Sequence, residues 1–351
     1  MKTYNHFYEQ VYQFDNLYNA YLKARRGKRQ RAEVLRFEAN LEGELIQLQN
    51  ELMWGMYCTG PYRVFKVYEP KERVAAALPF RDRVLQHSLI AAIEPIWEKR
   101  FYYHSYACRP GKGAHAGADR AQQWLREVKR AHGRVYCLKA DVRSYFASVD
   151  HDALIKILSR KIRCPRTIDL CKHIIGTWDP GIPIGNLTSQ LFANIYLNEF
   201  DQFIKQLRVR RYIRYMDDWV VVHHDKEYLQ AVRKLAEEWL WSELRLKLNQ
   251  KTQIFPVSLR RGRALDFLGY RIWPTHRRLR KGSIRRMRRR LRQMQGLYRS
   301  DLISLKDIQQ RITSWIGHAI HADSYRIRQK LLCEVGFTKT KGSLGPSVSE
   351  R

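Results

Sequence analysis

The stretch RYIRYMDDWVVVHH, residues 211–224, decides the fold, because two adjacent acids interrupt a run of strand-forming residues. Tyr, Ile, Trp and Val on both sides favour β-strands, so the pattern predicts a hairpin with Asp217 and Asp218 at its turn. Aspartate is common in turns, and most such pairs only solvate a loop. Here both flanks are hydrophobic, which indicates a buried hairpin whose two like charges have no obvious cation partner nearby in the sequence.

The composition indicates a folded chain that binds a polyanion. Of its 351 residues 44% are hydrophobic, which is enough for a sizeable core in about two or three structural units. The net charge is +31, from 65 Lys and Arg against 34 Asp and Glu, and such a field attracts nucleic acid or an anionic membrane surface. The chain also has 20 Tyr, 13 Phe and 9 Trp, on which bases can stack, so nucleic acid is the favoured partner.

Several classes of protein are disfavoured by the same sequence. No segment approaches the roughly 18 apolar residues of a membrane span, and the N-terminal MKTYNHFYEQ has no signal-peptide core. We therefore expect a cytoplasmic protein without a membrane partner. The six cysteines include no CxxC pair, which favours reduced structural thiols over a zinc ribbon or a disulfide framework.

Periodicity along the chain predicts a mixed α/β core with helices at both ends. The predicted elements are, in chain order, a helical region at 5–56, a hairpin at 62–80, a helix from 81, a strand ending at Asp141, a helix from Asn186, the hairpin at 211–224, a helix at 226–244, short strands within 246–273 and basic helices from Ser283.

Three carboxylates, Asp141, Asp217 and Asp218, therefore end or join predicted strands. Brought together without cations they would repel one another and lose hydration, and a divalent metal would resolve this. Hard oxygen ligands suit Mg²⁺, which is usually held by one or two carboxylates and substrate phosphates. Two such ions, roughly 3.5 to 4 Å apart, would support an in-line displacement that transfers a nucleotide to a 3′-hydroxyl.

The residues around these acids resemble the catalytic signature of reverse transcriptases. YMDD together with ADVRSYF carries the resemblance, and the order of the other segments agrees over about residues 60–275. PKERVAAALPFRDRVLQHSL resembles the finger segment, SYACRPGKGAHAGA resembles a stretch of group II intron enzymes, and ALDFLGY resembles the segment that closes the palm. The resemblance implies an α/β (α+β) fold, a right-hand polymerase with fingers, a ferredoxin-like palm sheet and a helical thumb.

The resemblance also implies boundaries for these parts. They are an N-terminal helical region and fingers at 1–135, with further finger elements around 160–190, a palm at 136–275, a basic helical thumb at 276–340 and a disordered tail at 341–351. The thumb carries ten Lys or Arg in the sixteen residues from 277 to 292, which suits a nucleic-acid backbone. Its expected nucleic-acid contacts are Arg285, Arg286, Arg289 and Arg290.

Site roles follow from the resemblance residue by residue. Asp141 and Asp217 would be ligands of two Mg²⁺ ions, with Mn²⁺ as a possible substitute, helped by the backbone carbonyl of Val142 and by Asp218. Phe146, five residues after Asp141, matches the aromatic that excludes a ribose 2′-hydroxyl and so selects dNTPs. The remaining matches are to cations, namely Arg73 and Lys71 for the triphosphate and Lys251 for protonating the leaving pyrophosphate. Each of these cations could instead be a solvated surface charge.

The loop GIPIGNLTSQ indicates which reverse transcriptase this chain resembles. Ile184 stands where the superfamily usually has Gln, and Gln190 stands where it usually has Pro, so IGNLTSQ is similar to reverse transcriptases of diversity-generating retroelements. Ile184, Gly185 and Gln190 are then expected beside the incoming dNTP. The resemblance implies copying of a template-repeat RNA into cDNA with errors at template adenines, and an accessory variability protein that forms a basic oligomeric ring. Loss of the Gln hydrogen bond offers a physical reason for those errors.

Two alternatives stay open. The chain could be another prokaryotic reverse transcriptase, from a group II intron, a retron or a defence system. It could also be a non-catalytic RNA-binding protein of the maturase kind, although a decayed enzyme has no physical reason to keep clustered carboxylates.

Overall fold

The computed structural model describes residues 3–5, 7–68 and 72–338, and the expected tail at 341–351 lies outside them. Contacts divide the chain into two compact units. The first is Met1–Gly113, Leu138–Val221 and Lys226–Ile254, and the second is Ala114–Cys137, Val222–Asp225 and Phe255–Arg351.

The described part contains helices and strands in both units. The α-helices are α1 Tyr8–Tyr12, α2 Phe14–Ala24, α3 Ala32–Ala39, α4 Leu41–Trp54, α5 Phe80–Glu98, α6 Ala114–His132, α7 His151–Ser159, α8 Pro165–Gly176, α9 Leu187–Gln206, α10 Lys226–Leu244, α11 Lys281–Arg299, α12 Leu305–Ala319 and α13 Tyr325–Cys333. The β-strands are β1 Arg63–Val67, β2 Arg73–Ala77, β3 Tyr136–Asp141, β4 Tyr212–Tyr215, β5 Asp218–His223, β6 Gln253–Pro256, β7 Leu265–Phe267, β8 Tyr270–Ile272 and β9 Arg277–Leu279.

The helices α1–α5 pack together in the first unit, as the periodicity of residues 5–56 predicts. The spacing of Leu45, Leu48 and Leu52 places all three on one face of α4, and all three are fully buried. Gly55 ends this helix in the left-handed conformation, with φ of 70°. The two-stranded ribbon of β1 and β2 follows, and every residue of β1 is exposed.

A four-stranded sheet, most of which belongs to the first unit, has the spatial order β4-β5-β3-β6. Along the chain its strands alternate with helices as β3, α7–α9, β4, β5, α10 and β6. This is the βαββαβ arrangement with the strand order of a ferredoxin-like sheet. The mixed helix and strand content and this order confirm the predicted fold class.

The second unit contains α6, the sheet β7-β8-β9 and the helices α11–α13. ALDFLGYRIW forms two strands and a turn, and β9 pairs with β8 ahead of α11. The buried residues of α11 are Met287, Leu291, Met294 and Tyr298, which lie on one face of the helix. The helices share a small core of Met287, Leu291, Met294, Tyr298, Ile308 and Leu331. No helix of the described residues is long and apolar enough to cross a bilayer.

Candidate active site

The two adjacent acids lie where the hairpin turns. β4 and β5 pair antiparallel, and the last paired residues before the turn are Tyr215 and Asp218. Met216 and Asp217 form the turn, so Asp218 is the first residue of β5 rather than a turn residue as predicted. Met216 has φ of 57°, a left-handed conformation that needs support from its surroundings.

A buried ion pair supplies that support. Arg214 on β4 and Asp201 on α9 are both 0% exposed, and the guanidinium donates to both carboxylate oxygens, at 2.8 and 2.6 Å. A further guanidinium N–H donates to the carbonyl oxygen of Met216 at 2.9 Å, and the hydroxyl of Tyr212 donates to Asp201 at 2.7 Å. The pair therefore ties the turn to the helix beneath the sheet.

Asp141 ends β3, which is the neighbour of β5 in the sheet. The backbone N–H of Val142 donates to the carbonyl oxygen of Asp217 at 3.2 Å, which joins the two acidic segments directly. On the other side, the N–H groups of Asn249 and Arg143 donate to the carbonyl oxygens of Asp141 and Lys247, at 2.8 and 2.9 Å. None of these bonds uses the carbonyl oxygen of Val142.

The three carboxylates interact electrostatically. Burial raises the pKa of Asp217, and the negative charge of Asp141 raises it further, whereas Arg73 and Lys139 oppose the rise. Burial also raises the pKa of Asp218 to about 6, with Asp217 and Asp141 adding to the rise. Ionising all three groups together is therefore unfavourable without a cation, as the sequence predicts.

Lys139 is a site residue that the sequence analysis missed. Its ammonium group donates to Oδ1 of Asp218 at 2.5 Å, and the two side chains are 26% and 27% exposed. The signal was present, because Lys139 stands two residues before Asp141 and alternate residues of a strand face the same side.

The acidic cluster fits an open site for a hard divalent cation. Its donors are carboxylate and carbonyl oxygens, and burial, together with the charge of the neighbouring acids, raises the pKa of Asp217 and Asp218. Within the described ranges, no group of three or more His, Cys, Asp or Glu side chains could enclose a metal ion on its own. Substrate oxygens would have to complete the coordination, which is the usual arrangement for Mg²⁺.

Phe146 lies close in sequence to these acids and is half-buried. It belongs to a 3-10 helix, Tyr145–Ser148, that is anchored by the buried Tyr145, whose hydroxyl donates to the carbonyl oxygen of Ala193 at 2.5 Å. The N–H of Ile182 donates to the Phe146 carbonyl oxygen at 2.8 Å. Only glycine fits at Gly181, because a Cβ there would overlap that same oxygen.

The loop with Ile184 is joined to the ribbon of β1 and β2. The N–H of Ala76 on β2 donates to the carbonyl oxygen of Ile184 at 2.8 Å. Gly185 has φ of 129°, and a Cβ there would overlap the carbonyl oxygen of Ala76. Arg73 is exposed on the same strand, and its charge acts on Asp217. The structure therefore brings the Ile184 loop, the Arg73 strand and the acids into one region.

The other predicted site residues are less closely tied to the acids. Gln190 is exposed in the first turn of α9. The side chain of Lys251 is exposed, and its N–H donates to Oδ1 of Asn249 at 3.0 Å. Lys71 lies outside the described residues.

The predicted nucleic-acid contacts all belong to α11, in the second unit. Arg285, Arg289 and Arg290 are exposed, and Arg286 is half-buried. Their neighbour Arg288 donates to Glu334 at 2.9 and 3.2 Å.

Comparisons with known proteins agree with this geometry. A family model described as reverse transcriptase (RNA-dependent DNA polymerase) matches residues 66–272, more than half of the chain. Protein YkfC of Escherichia coli K12 is 31% identical over 283 residues, which cover 67% of this chain and 72% of YkfC. Group II intron-encoded protein LtrA of Lactococcus lactis subsp. cremoris is 27% identical over 183 residues. That match covers 48% of this chain but only 29% of LtrA.

A solved structure resembles the fold at low sequence identity. The apo telomerase of Candida tropicalis matches with a TM-score of 0.51 and 11% identity, over 85% of this chain and 64% of that chain. The family match includes the hairpin, the strand that ends at Asp141 and the loop at Ile184. The chain therefore belongs to the reverse transcriptase family of RNA-directed DNA polymerases.

Proposed function

We propose that this polymerase copies a template-repeat RNA into cDNA with errors at template adenines, as part of a diversity-generating retroelement. The observation that carries the proposal is the loop at Ile184, whose backbone is bonded to the strand that bears Arg73. A residue in this position can contact the nascent base pair. Because isoleucine cannot donate or accept a hydrogen bond there, a poorly shaped pair is rejected less strongly.

The structural parts take the following roles in this proposal. The β1–β2 ribbon, the N-terminal helices and the segment around 160–190 are fingers, the four-stranded sheet with its helices is the palm, and α11–α13 form the thumb. The predicted boundary between palm and thumb, at 275–276, separates β8 from β9.

Asp141 and Asp217 would hold two Mg²⁺ ions together with the carbonyl oxygen of Val142, with Asp218 completing the carboxylate triad, and Mn²⁺ could replace the Mg²⁺ ions. When bound, such ions supply activation of the primer 3′-hydroxyl and stabilisation of the pyrophosphate charge. The protein's own contribution is rigidity, since the Arg214–Asp201 pair and the Val142–Asp217 bond hold the two acidic segments in register.

The nucleotide is bound by residues from both sides of the acids. Phe146 packs under the sugar and leaves no room for a 2′-hydroxyl, with Gly185 and Gln190 nearby. Arg73 and Lys71 bind the triphosphate, and Lys251 protonates the leaving pyrophosphate. The exposed Arg285, Arg289 and Arg290 of α11, with Arg286, bind the phosphate backbone of the template RNA and cDNA.

An accessory variability protein, a basic oligomeric ring, is the proposed protein partner, and the complex works in the cytoplasm. Both proteins would be basic, so their contact needs either acidic residues of this chain, such as those in EANLEGE at 38–44, or bridging RNA.

A second candidate is activity as a group II intron-type reverse transcriptase. It is favoured by the matches to LtrA and to other intron proteins. Such an enzyme needs no elevated error at adenine, so the two candidates differ in a measurable property.

Sequencing cDNA made from the native RNA, with dNTPs and Mg²⁺, tests both candidates. The retroelement proposal expects misincorporation concentrated at template adenines, and Ile184→Gln should reduce it toward the rate at other bases. Leu187→Met is a matched control from the same loop that leaves position 184 intact. Equal adenine error in wild type and Ile184→Gln would remove Ile184 from the explanation, and a uniform low error would favour the intron-type candidate.

A further inference from the structure

Lys139, which is bonded to the acidic cluster, has no role in the functions described so far. Lys139 stands on β3, the strand between β5 and β6, two residues before Asp141. Its ammonium group lies 2.5 Å from Oδ1 of Asp218, and both side chains are about three-quarters buried. An ion pair of this kind is not an ordinary surface contact, which water and salt would weaken.

The charge of Lys139 acts on more than its bonded partner. Its positive charge attracts both Asp218 and Asp217. Arg73 also attracts Asp217, but its side chain is exposed at the start of β2. Of Lys139 and Arg73, Lys139 is therefore the cation that belongs to a strand of the four-stranded sheet.

The positions of the acids explain why one of them needs a permanent partner. The backbone bond from Val142 to Asp217 joins the segments of Asp141 and Asp217, and the charge of Asp141 acts on Asp217. Asp218 is the first residue of β5, and its bonded oxygen is already occupied by the ammonium group of Lys139. A third free carboxylate would only add repulsion when no metal is present.

We propose that Lys139 is a built-in counter-ion and positioning residue: it holds Asp218 as a salt-bridged anion, so that Asp141 and Asp217 form the metal site. The inference rests on the proposed role of the three acids. Lysine suits this task, because its compact charge on a flexible stem can reach one oxygen without occupying the space of a bidentate guanidinium.

Two measurements on the purified full-length chain test the proposal without relying on activity. The first is Mn²⁺ affinity in the absence of nucleic acid, measured by electron paramagnetic resonance. Removing a positive charge beside the site, in Lys139→Met, should tighten Mn²⁺ binding by roughly tenfold. The second is the melting temperature in EDTA, which Lys139→Met should lower and Mn²⁺ should restore.

Lys172→Met is the matched control, because Lys172 also bonds an aspartate, Asp169, at 3.1 Å on the surface helix α8. It should leave Mn²⁺ affinity, melting temperature and primer extension unchanged. Lys139→Arg should keep Mn²⁺ affinity near the wild-type value, because the charge is retained. Wild-type Mn²⁺ affinity and an unchanged melting temperature in EDTA for Lys139→Met would overturn the proposal.

A double variant covers the case in which Lys139→Met does not fold. Lys139→Met with Asp218→Asn removes both charges, so it should fold and regain the wild-type melting temperature in EDTA. Failure of the double variant to fold would overturn the proposal, because Lys139 would then have a role beyond neutralising Asp218. Primer extension on an RNA template distinguishes failure of the proposed function from failure of the proposed role of Lys139. An inactive wild type counts against the proposed function. An active wild type, with unaltered Mn²⁺ binding in Lys139→Met, counts only against the proposed role of Lys139.

Discussion

Replacing Arg214 by methionine is expected to weaken the fold far more than the loss of a surface arginine. Arg214 and Asp201 are fully buried, and two N–H groups bond the two carboxylate oxygens at 2.6 and 2.8 Å. Truncation leaves the Asp201 charge buried without its cation, which costs roughly 3 to 5 kcal/mol. The bond to the carbonyl oxygen of Met216 is lost as well, so the turn that carries Asp217 should loosen and primer extension should fall.

Urea unfolding followed by tryptophan fluorescence measures this effect, because the buried Trp219 stands opposite Arg214 in the hairpin. Arg233→Met is the matched control, since its ion pair with Glu237 is an exposed i,i+4 pair worth less than about 1 kcal/mol. Adding Asp201→Asn to Arg214→Met should recover part of the loss, because no charge is then buried unpaired. Equal urea midpoints for Arg214→Met and Arg233→Met would refute the reasoning.

Three further predictions concern the nucleotide site and the acids. Phe146→Ala should raise rNTP incorporation relative to dNTP by about ten- to a hundredfold in single-nucleotide extension, because the ring no longer excludes the 2′-hydroxyl. Gly185→Ala should lower kcat/KM for dNTPs, because the added methyl overlaps the carbonyl oxygen of Ala76, whereas Gly176→Ala, with nothing within 4 Å of its added Cβ, should not. Asp218 should make the metal-free chain more stable as pH falls, because its folded-state pKa, about 6, lies above the usual aspartate value of 3.8. The ionised form weakens the fold above pH 6, and the gain, up to about 3 kcal/mol, is complete near pH 4. Asp218→Asn should remove this part of the pH dependence in urea unfolding, and an unchanged profile would contradict it.

The elements around the acids could be predicted because each depends on local periodicity. Alternation marks the strand that ends at Asp141 and the hairpin around Asp217, and the 3.6-residue repeat marks the helix at 226–244, which the structure bounds at Lys226–Leu244. The order of the strands in the sheet could also be predicted, but only through the resemblance to a known fold. Periodicity gives no information about which strands are neighbours.

The charged partners of the site could not be predicted from local patterns. Lys139 and Asp218 are 79 residues apart in sequence and meet only because β3 and β5 are neighbours in the sheet. Arg214 stands in a strand where alternation alone would allow an exposed side chain, and its partner Asp201 lies on α9. Long-range ion pairs of this kind depend on the packing of whole elements, which a single sequence does not specify.

The two ion pairs together explain how a chain with a net charge of +31 keeps a site for cations. Arg214 is neutralised by Asp201, so it supports the turn without placing a net positive charge next to Asp217. Lys139 is neutralised by Asp218 in the same way. What remains at the junction of β3 and the hairpin is the charge of Asp141 and Asp217, close to the −2 that one divalent cation balances.

A second cation would then need the negative charge of a bound triphosphate, so the structure predicts that metal binding becomes complete only with the nucleotide. Titrating Mn²⁺ should therefore give about one more bound ion in the presence of a dNTP than in its absence. Equal stoichiometry in both titrations would show that Asp218 is available to the metals, contrary to its pairing with Lys139.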